Sequence, residues 1–477
     1  MRFGELASLF LSTLVPLAAA GTTVGCGGDD GATVDAAGAD ARRVDAATAP
    51  DATAPGQVTV IVRGECCDAT TGQPIADADV FAIQPDGTMG DRTTTAADGT
   101  ATLDDVAPGA IVTAIVARTD GHLRISYLGV QPGDHLELGD APRPPQADGA
   151  VTVDWPLATG ANSYRMYVPC TSAGGDATTT SATAQIGAWC LRDPFAVLVV
   201  ALDASNVPIQ SAVVHGISPI AGGGTATGSV TAWQAPGTLS STVATVPAEI
   251  TASSRYAATL LGTSTGHPVY VNGFDPVTSP WPGADTEGTL TSSYFGRDGD
   301  FGALYSSQVL APATTTWSTR APTLPWLAGL LANAAAQQAR WVTVGDGSYD
   351  ATILGLSWRD YVSPPGAWVY DDWYLVMPPG TTEFDWSTLP AGLDELVPPE
   401  ALAVDAWIDL VDLPGVDDYD AVRALPARIA LCPACTASLV ELGAGAVVDE
   451  SYDEGGGFLL RPATRRPPAH RAARAHR

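Results

Sequence analysis

The chain has 477 residues, a formal net charge of -29 and 45% hydrophobic residues, which is enough for about three domains with real cores. A surface this acidic repels nucleic acid and anionic lipid. Every basic side chain apart from histidine is arginine; there is no lysine, which excludes a Schiff-base lysine and a P-loop lysine. With 50 Gly and 37 Pro beside many Thr and Val, short strands joined by frequent turns are expected.

Arg2 precedes an apolar run, Leu6 to Ala20, followed by Val24-Gly25-Cys26. The run is long enough for a cleaved export signal and too short to span a bilayer. A small residue before the cysteine and a flexible tract after it resemble a bacterial lipoprotein signal, although Thr23 stands where that family usually has Leu. The resemblance implies that Cys26 becomes a lipidated first residue, held at the outer membrane with its body facing the periplasm or the surface. The alternative is a secretory signal cut after Ala20 and a soluble secreted protein.

Residues 26–56 are rich in Ala, Asp, Gly and Pro, with almost no aliphatic side chain. Such a tract cannot bury enough apolar area to offset its ordering entropy and is expected to be a disordered tether.

Residues 57–140 show strand alternation at Val58, Val60 and Val62. Turns follow at Thr71-Gly72, Asp86-Gly87, Asp98-Gly99 and Pro108-Gly109, with strands into Phe81 and Ile83 and over Ala110 to Ala117. The run TGQPIADADV, then ADGTATLDDVAPG and the strand after it, resembles the carboxypeptidase regulatory-like, transthyretin-like β-sandwich. The resemblance implies an autonomous antiparallel sandwich without peptidase activity. Cys66-Cys67 departs from that pattern. None of His122, His135, His215 and His267 begins the HxxE zinc motif of peptidases that carry such a module.

After the Pro-rich joint at Ala141 to Pro145, strands are expected at Val151–Trp155, Ser163–Val168, Phe195–Leu202 and Ile209–Ile217. Their order resembles fibronectin type III-like modules over residues 148–218, with Trp155 in the core. Residues 219–321 are β-rich without a readable type. Pro325 to Arg340 carries Trp326, Leu327, Leu330, Leu331 and Ala334 at helical spacing and is expected to be a short helix capped by Thr323. Strands follow at Trp341–Val344, Ala351–Trp358, Trp368–Met377 and Val404–Leu410. They are read as a second sandwich-like module over 322–460, with a faint echo of residues 151–168. Residues 461–477 hold six arginines and no acid, a solvated basic tail. The fold class is therefore all-β: tandem antiparallel sandwiches, one short helix and two unstructured ends.

Few motifs carry chemistry. Gly262-Thr-Ser264-Thr-Gly266 with His267 fits GxSxG, but Pro268 and a strand follow where a nucleophile elbow needs a helix. Cys432-Pro-Ala-Cys435 lacks the βαβ surroundings of a redox motif and the second cysteine pair of a zinc site. Asp412, Asp417, Asp418 and Asp420, and Arg297-Asp-Gly-Asp300, lack EF-hand spacing; solvated carboxylates are the expectation, calcium the alternative. Tryptophans between Trp317 and Trp407 are expected mainly in the core. Trp368 and Trp373, an odd number apart on one strand, must face opposite sides, so one of them is a candidate for exposure.

Export places the cysteines in an oxidising compartment. Setting Cys26 aside leaves an even number. Cys170–Cys190 and Cys432–Cys435 are the expected bridges, with Cys66–Cys67 adjacent or paired elsewhere. No catalytic residue, metal ligand or cofactor is assigned. The expected function is a non-catalytic, membrane-tethered envelope protein with a structural or recognition role. The alternative is a surface protein binding carbohydrate or peptide through the Trp-rich C-terminal half, with a hydrolase third. The expected partners are the membrane, through the lipid, and an envelope polysaccharide or protein; nucleic acid is not among them.

Overall fold

The computed structural model describes residues 56–64, 72–118, 120–139, 149–168, 171–187, 195–218, 224–235, 237–243, 250–260, 271–273, 279–281, 288–297, 303–311, 314, 316–319, 322–362, 367–390, 393, 396–426 and 447–456. The export signal, the tether apart from Gly56, and the basic tail lie outside them. So do all seven cysteines, Ser264, His267, Asp298 and Asp300. The described residues are nearly all β, with one short helix.

Seven strands form the N-terminal unit: β1 (Val58–Val62), β2 (Asp79–Ile83), β3 (Met89–Thr94), β4 (Thr100–Leu103), β5 (Ala110–Arg118), β6 (Gly121–Val130) and β7 (His135–Leu138). The alternation expected in β1 is present, with Val58, Val60 and Val62 buried and Thr59 and Ile61 only partly so. Strands β4, β1 and β7 make one sheet; β3, β2, β5 and β6 face it from another.

The second unit comprises β8 (Gly149–Asp154), β9 (Ser163–Val168), β10 (Thr171–Asp176), β11 (Ser181–Ile186), β12 (Phe195–Leu202), β13 (Pro208–Ile217) and β14 (Thr225–Ser229). Its two sheets run β10-β9-β12-β13 and β11-β8-β14. Trp155 sits in the core between them, 3% exposed, its indole N–H donating to the Thr179 carbonyl at 2.8 Å. The unit extends beyond residue 218, because β14 pairs in parallel with β8 and Ala226 and Val230 enter the same core. Strands β10 (TSAGGD) and β11 (SATAQI) escape a hydrophobic reading, since they carry small and polar residues.

Beyond it lie β15 (Gly237–Val243), β16 (Ile250–Leu260), β17 (Val271–Gly273), β18 (Ser279–Trp281), β19 (Gly288–Arg297), β20 (Ala303–Leu310) and β21 (Thr316–Thr319). The C-terminal part contains β22 (Trp326–Asn333), β23 (Gln338–Val344), β24 (Ala351–Val362), β25 (Ala367–Met377), β26 (Glu383–Asp385), β27 (Val404–Asp412), helix α1 (Tyr419–Arg423) and β28 (Val447–Gly456).

The expected helix over Pro325 to Arg340 is instead the hairpin β22–β23, turning at Ala334 to Gln337. Gly329, at φ +68, introduces a bulge that shifts the register between Ala328 and Leu331. A bulge adds one residue to a strand, so Leu327 and Leu330 both point inward although they are three apart. That is the spacing of a helix face. Leu331, which a helical stripe would bury, is 50% exposed.

The boundary expected near residue 140 does not divide the sheets. One 12-stranded sheet runs β17-β16-β19-β20-β28-β27-β24-β25-β6-β5-β2-β3. Its pairings are antiparallel except where β6 meets β25, which run parallel from Tyr370↔Gly121 to Val376↔Tyr127. Both faces of its central strands are covered. On one, the β4-β1-β7 sheet packs over Leu123, Ile125, Tyr127, Ile353, Tyr374, Val376 and Val411. On the other, the β22-β23-β26 sheet packs over Ile115, Leu354, Leu356, Trp373, Leu375 and Ile408. Each core draws side chains from both ends of the chain, so residues 57–140 and 322–460 form one three-layered body.

Residues 57–140 produced alone would expose the seam edge of β6 and lose the partners of Leu123, Ile125 and Tyr127. Burying each such side chain contributes roughly 1.5–3 kcal/mol. The isolated fragment is therefore expected to melt well below the full chain, as followed by circular dichroism. Melting at the same temperature would contradict the shared core.

Candidate functional site

Two acids, Asp371 and Asp372, lie side by side in the apolar strand AWVYDDWYLVM, with side chains 11% and 2% exposed. Successive residues of a strand point to opposite faces, so each acid needs its own cation. Both cations come from the other end of the chain. On one face, Arg118 Nη1 donates to Asp372 Oδ2 at 2.8 Å and Ser357 Oγ donates to Asp372 Oδ1 at 2.5 Å. On the other, Arg124 Nη1 donates to Asp371 Oδ1 at 2.9 Å, while the guanidinium stacks 4.9 Å from the Trp358 ring centroid. His122 adds its amide, 3.1 Å from Asp371 Oδ1, and its Nδ1, 3.0 Å from the same oxygen. Deeper along the seam, Trp373 Nε1 donates to Ser126 Oγ at 2.9 Å, and that hydroxyl lies 2.7 Å from Thr113 Oγ1.

At the seam's mouth the backbones come very close. The Tyr370 amide donates to the Asp120 carbonyl at 2.5 Å. Gly121, at φ +152, leaves no room for a side chain, since an added Cβ would lie 1.7 Å from the Tyr370 carbonyl oxygen.

Helix α1 closes the far end. Asp418 caps it, accepting from the Ala421 amide at 2.9 Å. The Tyr419 hydroxyl lies 2.9 Å from the Leu128 carbonyl of β6 and 2.7 Å from the Val376 carbonyl of β25, its one proton shared between them. Arg423, 2% exposed, donates to Asp134 at 2.7 Å and to Asp420 at 2.8 Å. Of the acidic cluster singled out in the sequence, Asp418 and Asp420 thus serve this helix. Asp412 and Asp417 lie beside Asp350, whose carboxyl accepts from the Leu413 amide at 2.7 Å. Burial raises the Asp350 pKa, the Leu413 hydrogen bond opposes it, and the neighbouring acids add to the rise. Among the described residues, no group of three or more His, Cys, Asp and Glu is arranged to hold a metal ion.

A second carboxyl pair lies on β27 and β28. Asp409 opposes Tyr452, and Val411 opposes Glu450, so Asp409 and Glu450 are diagonal neighbours. Asp409 Oδ1 is shielded from solvent and has no hydrogen-bond partner. Burial holds this carboxyl well above the ordinary range, and the Glu450 charge raises it further. Nearby, the Trp407 ring lies over Gly355, where an added Cβ would come within 2.2 Å of the indole.

The tryptophans divide as strand geometry requires. Trp373 is 1% exposed and Trp368 is 50% exposed, on opposite faces of β25. Trp326, Trp341, Trp358 and Trp386 are buried. The polar seam and the Asp409–Glu450 pair were not singled out in the sequence. The available signal was charge inside strands too apolar to face water, at Arg124 in GHLRISYLGV and at Asp371-Asp372.

No family model matches the chain, and no curated protein matches it. Among solved structures it is similar to the Bacillus anthracis TIE protein, at 12% identity and a TM-score of 0.15, over 56% of this chain and 50% of that one. The match spans half of that protein, and a likeness at this TM-score carries no argument.

Two measurements follow from the geometry. Removing one partner of a buried ion pair leaves an uncompensated charge, at a cost of about 3–5 kcal/mol. Arg118 keeps 28% of its side chain in solvent, so Arg118→Met is expected to fall at or below the lower end of that range. Adding Asp372→Leu should recover part of the loss. Urea denaturation of both single variants and the double variant measures the coupling, and strict additivity would contradict it.

The second measurement concerns pH. A carboxyl whose folded pKa is raised binds its proton more tightly in the native state. Stability is therefore greatest below the unfolded Asp value, about 3.9, and falls as pH rises toward the folded value. Asp409→Asn should leave the denaturation midpoint near pH 4 almost unchanged and raise it at pH 8. The Asp350 carboxyl titrates in the same direction and leaves a residual slope.

Proposed function

We propose that the protein is a non-catalytic lipoprotein of the bacterial envelope, anchored through Cys26 and carrying a β body on an Ala/Asp-rich tether, with a structural or recognition role. The observation that carries the reading is the order Leu6–Ala20, Val24-Gly25-Cys26 and the tether at its start. Within this reading, residues 57–140 are a carboxypeptidase regulatory-like sandwich and residues 148–218 a fibronectin type III-like module. The first is joined edge to edge with residues 322–460. The same reading expects Cys170–Cys190 and Cys432–Cys435 to be bridged in the exported chain.

The chemistry of the body supports this role. The buried charges of the seam are matched to one another across the chain, as Arg118 with Asp372 and Arg124 with Asp371. Groups so matched hold strands together and have little freedom to exchange protons with a substrate. A tethered protein of this kind acts through its shape and outer surface.

Expressed with its own leader in a Gram-negative host, the wild type should partition into detergent and incorporate labelled fatty acid, and Cys26→Ser should lose both. Labelling that survives the substitution would overturn the anchor.

A further inference from the structure

Two exposed hydrophobic side chains of the second unit, Leu157 at 56% and Val207 at 46%, stand at the same end of its sandwich. Strands β9 and β12 are antiparallel, with Ser163 opposite Leu202, so the loop entering β9 and the loop leaving β12 lie side by side. The Asn162 amide donates to the Leu202 carbonyl at 2.7 Å, and a Cβ added at Gly160 would lie 3.7 Å from Ile209 Cδ1. Neither loop relies on its aliphatic side chain for shape. In one, Asp203 Oδ1 accepts from the Ser205 amide at 2.8 Å and the Val207 amide at 2.9 Å, and Asn206, at φ +61, completes the turn. In the other, the Ala158 amide donates to the Tyr164 hydroxyl at 2.7 Å. Trp233 Nε1 donates to the Pro156 carbonyl at 2.9 Å, and its ring stacks on Tyr164 with centroids 6.0 Å apart. Leu157 and Val207 are thus presented to solvent on tied loops, beside a half-buried indole.

We infer that this end docks on the surface of a zwitterionic lipid bilayer, with Leu157 and Val207 entering the headgroup region. The inference goes beyond the anchor at Cys26, since it needs no acyl chain. Two aliphatic side chains offer far less than the roughly 800 Å² per partner of a stable protein interface. A bilayer takes in single apolar side chains whatever their area, and Trp233, with an apolar ring and a polar edge, suits its interface. Charge sets the lipid. Residues 155–162 and 204–208 carry no charged side chain. The charged residues where the neighbouring strands end, Asp154, Asp176 and Asp203, are all acids. This end is therefore repelled by an anionic surface and compatible with a neutral one.

The test takes the mature chain without its acyl acceptor, residues 27–477, which keeps every described residue. It is floated with vesicles of phosphatidylcholine, alone or with phosphatidylglycerol added. The protein should float with phosphatidylcholine and less so once phosphatidylglycerol is present. Leu157→Ser and Val207→Ser should each weaken partitioning about tenfold, the loss expected from withholding one aliphatic side chain from an apolar phase. Their melting temperatures should not change, because both side chains are exposed. Val342→Ser, at a side chain 58% exposed on β23, should float like the parent. No flotation, undiminished flotation of both variants, or a preference for phosphatidylglycerol would each overturn the inference. So would binding to native envelope membranes but not to pure lipid, which would mark a protein partner. Fatty-acid labelling at Cys26 in the full chain reports the anchor separately, so the docking end and the anchor can fail independently.

Discussion

The parallel pairing of β6 with β25 is the constraint on which the body depends. It joins strands about 250 residues apart, with Arg118 and Asp372 separated by 254 positions and Arg124 and Asp371 by 247. A parallel pair needs a crossover connection, and here that crossover contains the second unit and everything up to β24. The pairing closes one sheet across the molecule and gives both cores their second wall.

The charges on the seam act in specificity more than in raw stability. A buried ion pair gains little over well-packed apolar groups, but a mismatched one is costly. Asp371 and Asp372 project to opposite faces, and each meets an arginine only in one register. A slip by one residue would exchange the faces and leave each carboxylate against apolar packing. The close approach at Gly121 and the Tyr419 hydroxyl across the Leu128 and Val376 carbonyls hold the two ends of the same register. By contrast, Asp409 is a partly buried acid whose neighbour is another acid, and it makes stability depend on pH.

Aromatic side chains follow the same geometry. Trp358 and Trp373 cover the seam from one face: the first stacks on Arg124 and the second donates to Ser126. Trp368, on the same strand as Trp373 but of opposite parity, stands half in solvent, with the Arg359 guanidinium 5.6 Å from its ring centroid. One strand thus supplies both a core anchor and an outward platform, because its side chains alternate.

The amino-acid sequence by itself determined the all-β class, the strands β1, β2 and β5 of the first unit and β8, β9, β12 and β13 of the second, the inward alternation of β1, and the opposite facing of Trp368 and Trp373. These follow from period-two alternation and turn chemistry, which are local. Sequence also pointed to a helix at Pro325 to Arg340, because a bulge at Gly329 and a helical turn both place Leu327 and Leu330 on one face; only the sheet beneath them tells the two apart. Tertiary structure alone decided that residues 57–140 and 322–460 share a sheet. Pairing between distant strands leaves no periodic trace, and arginines and aspartates on so acidic a chain read as solvated surface until their partners are in place.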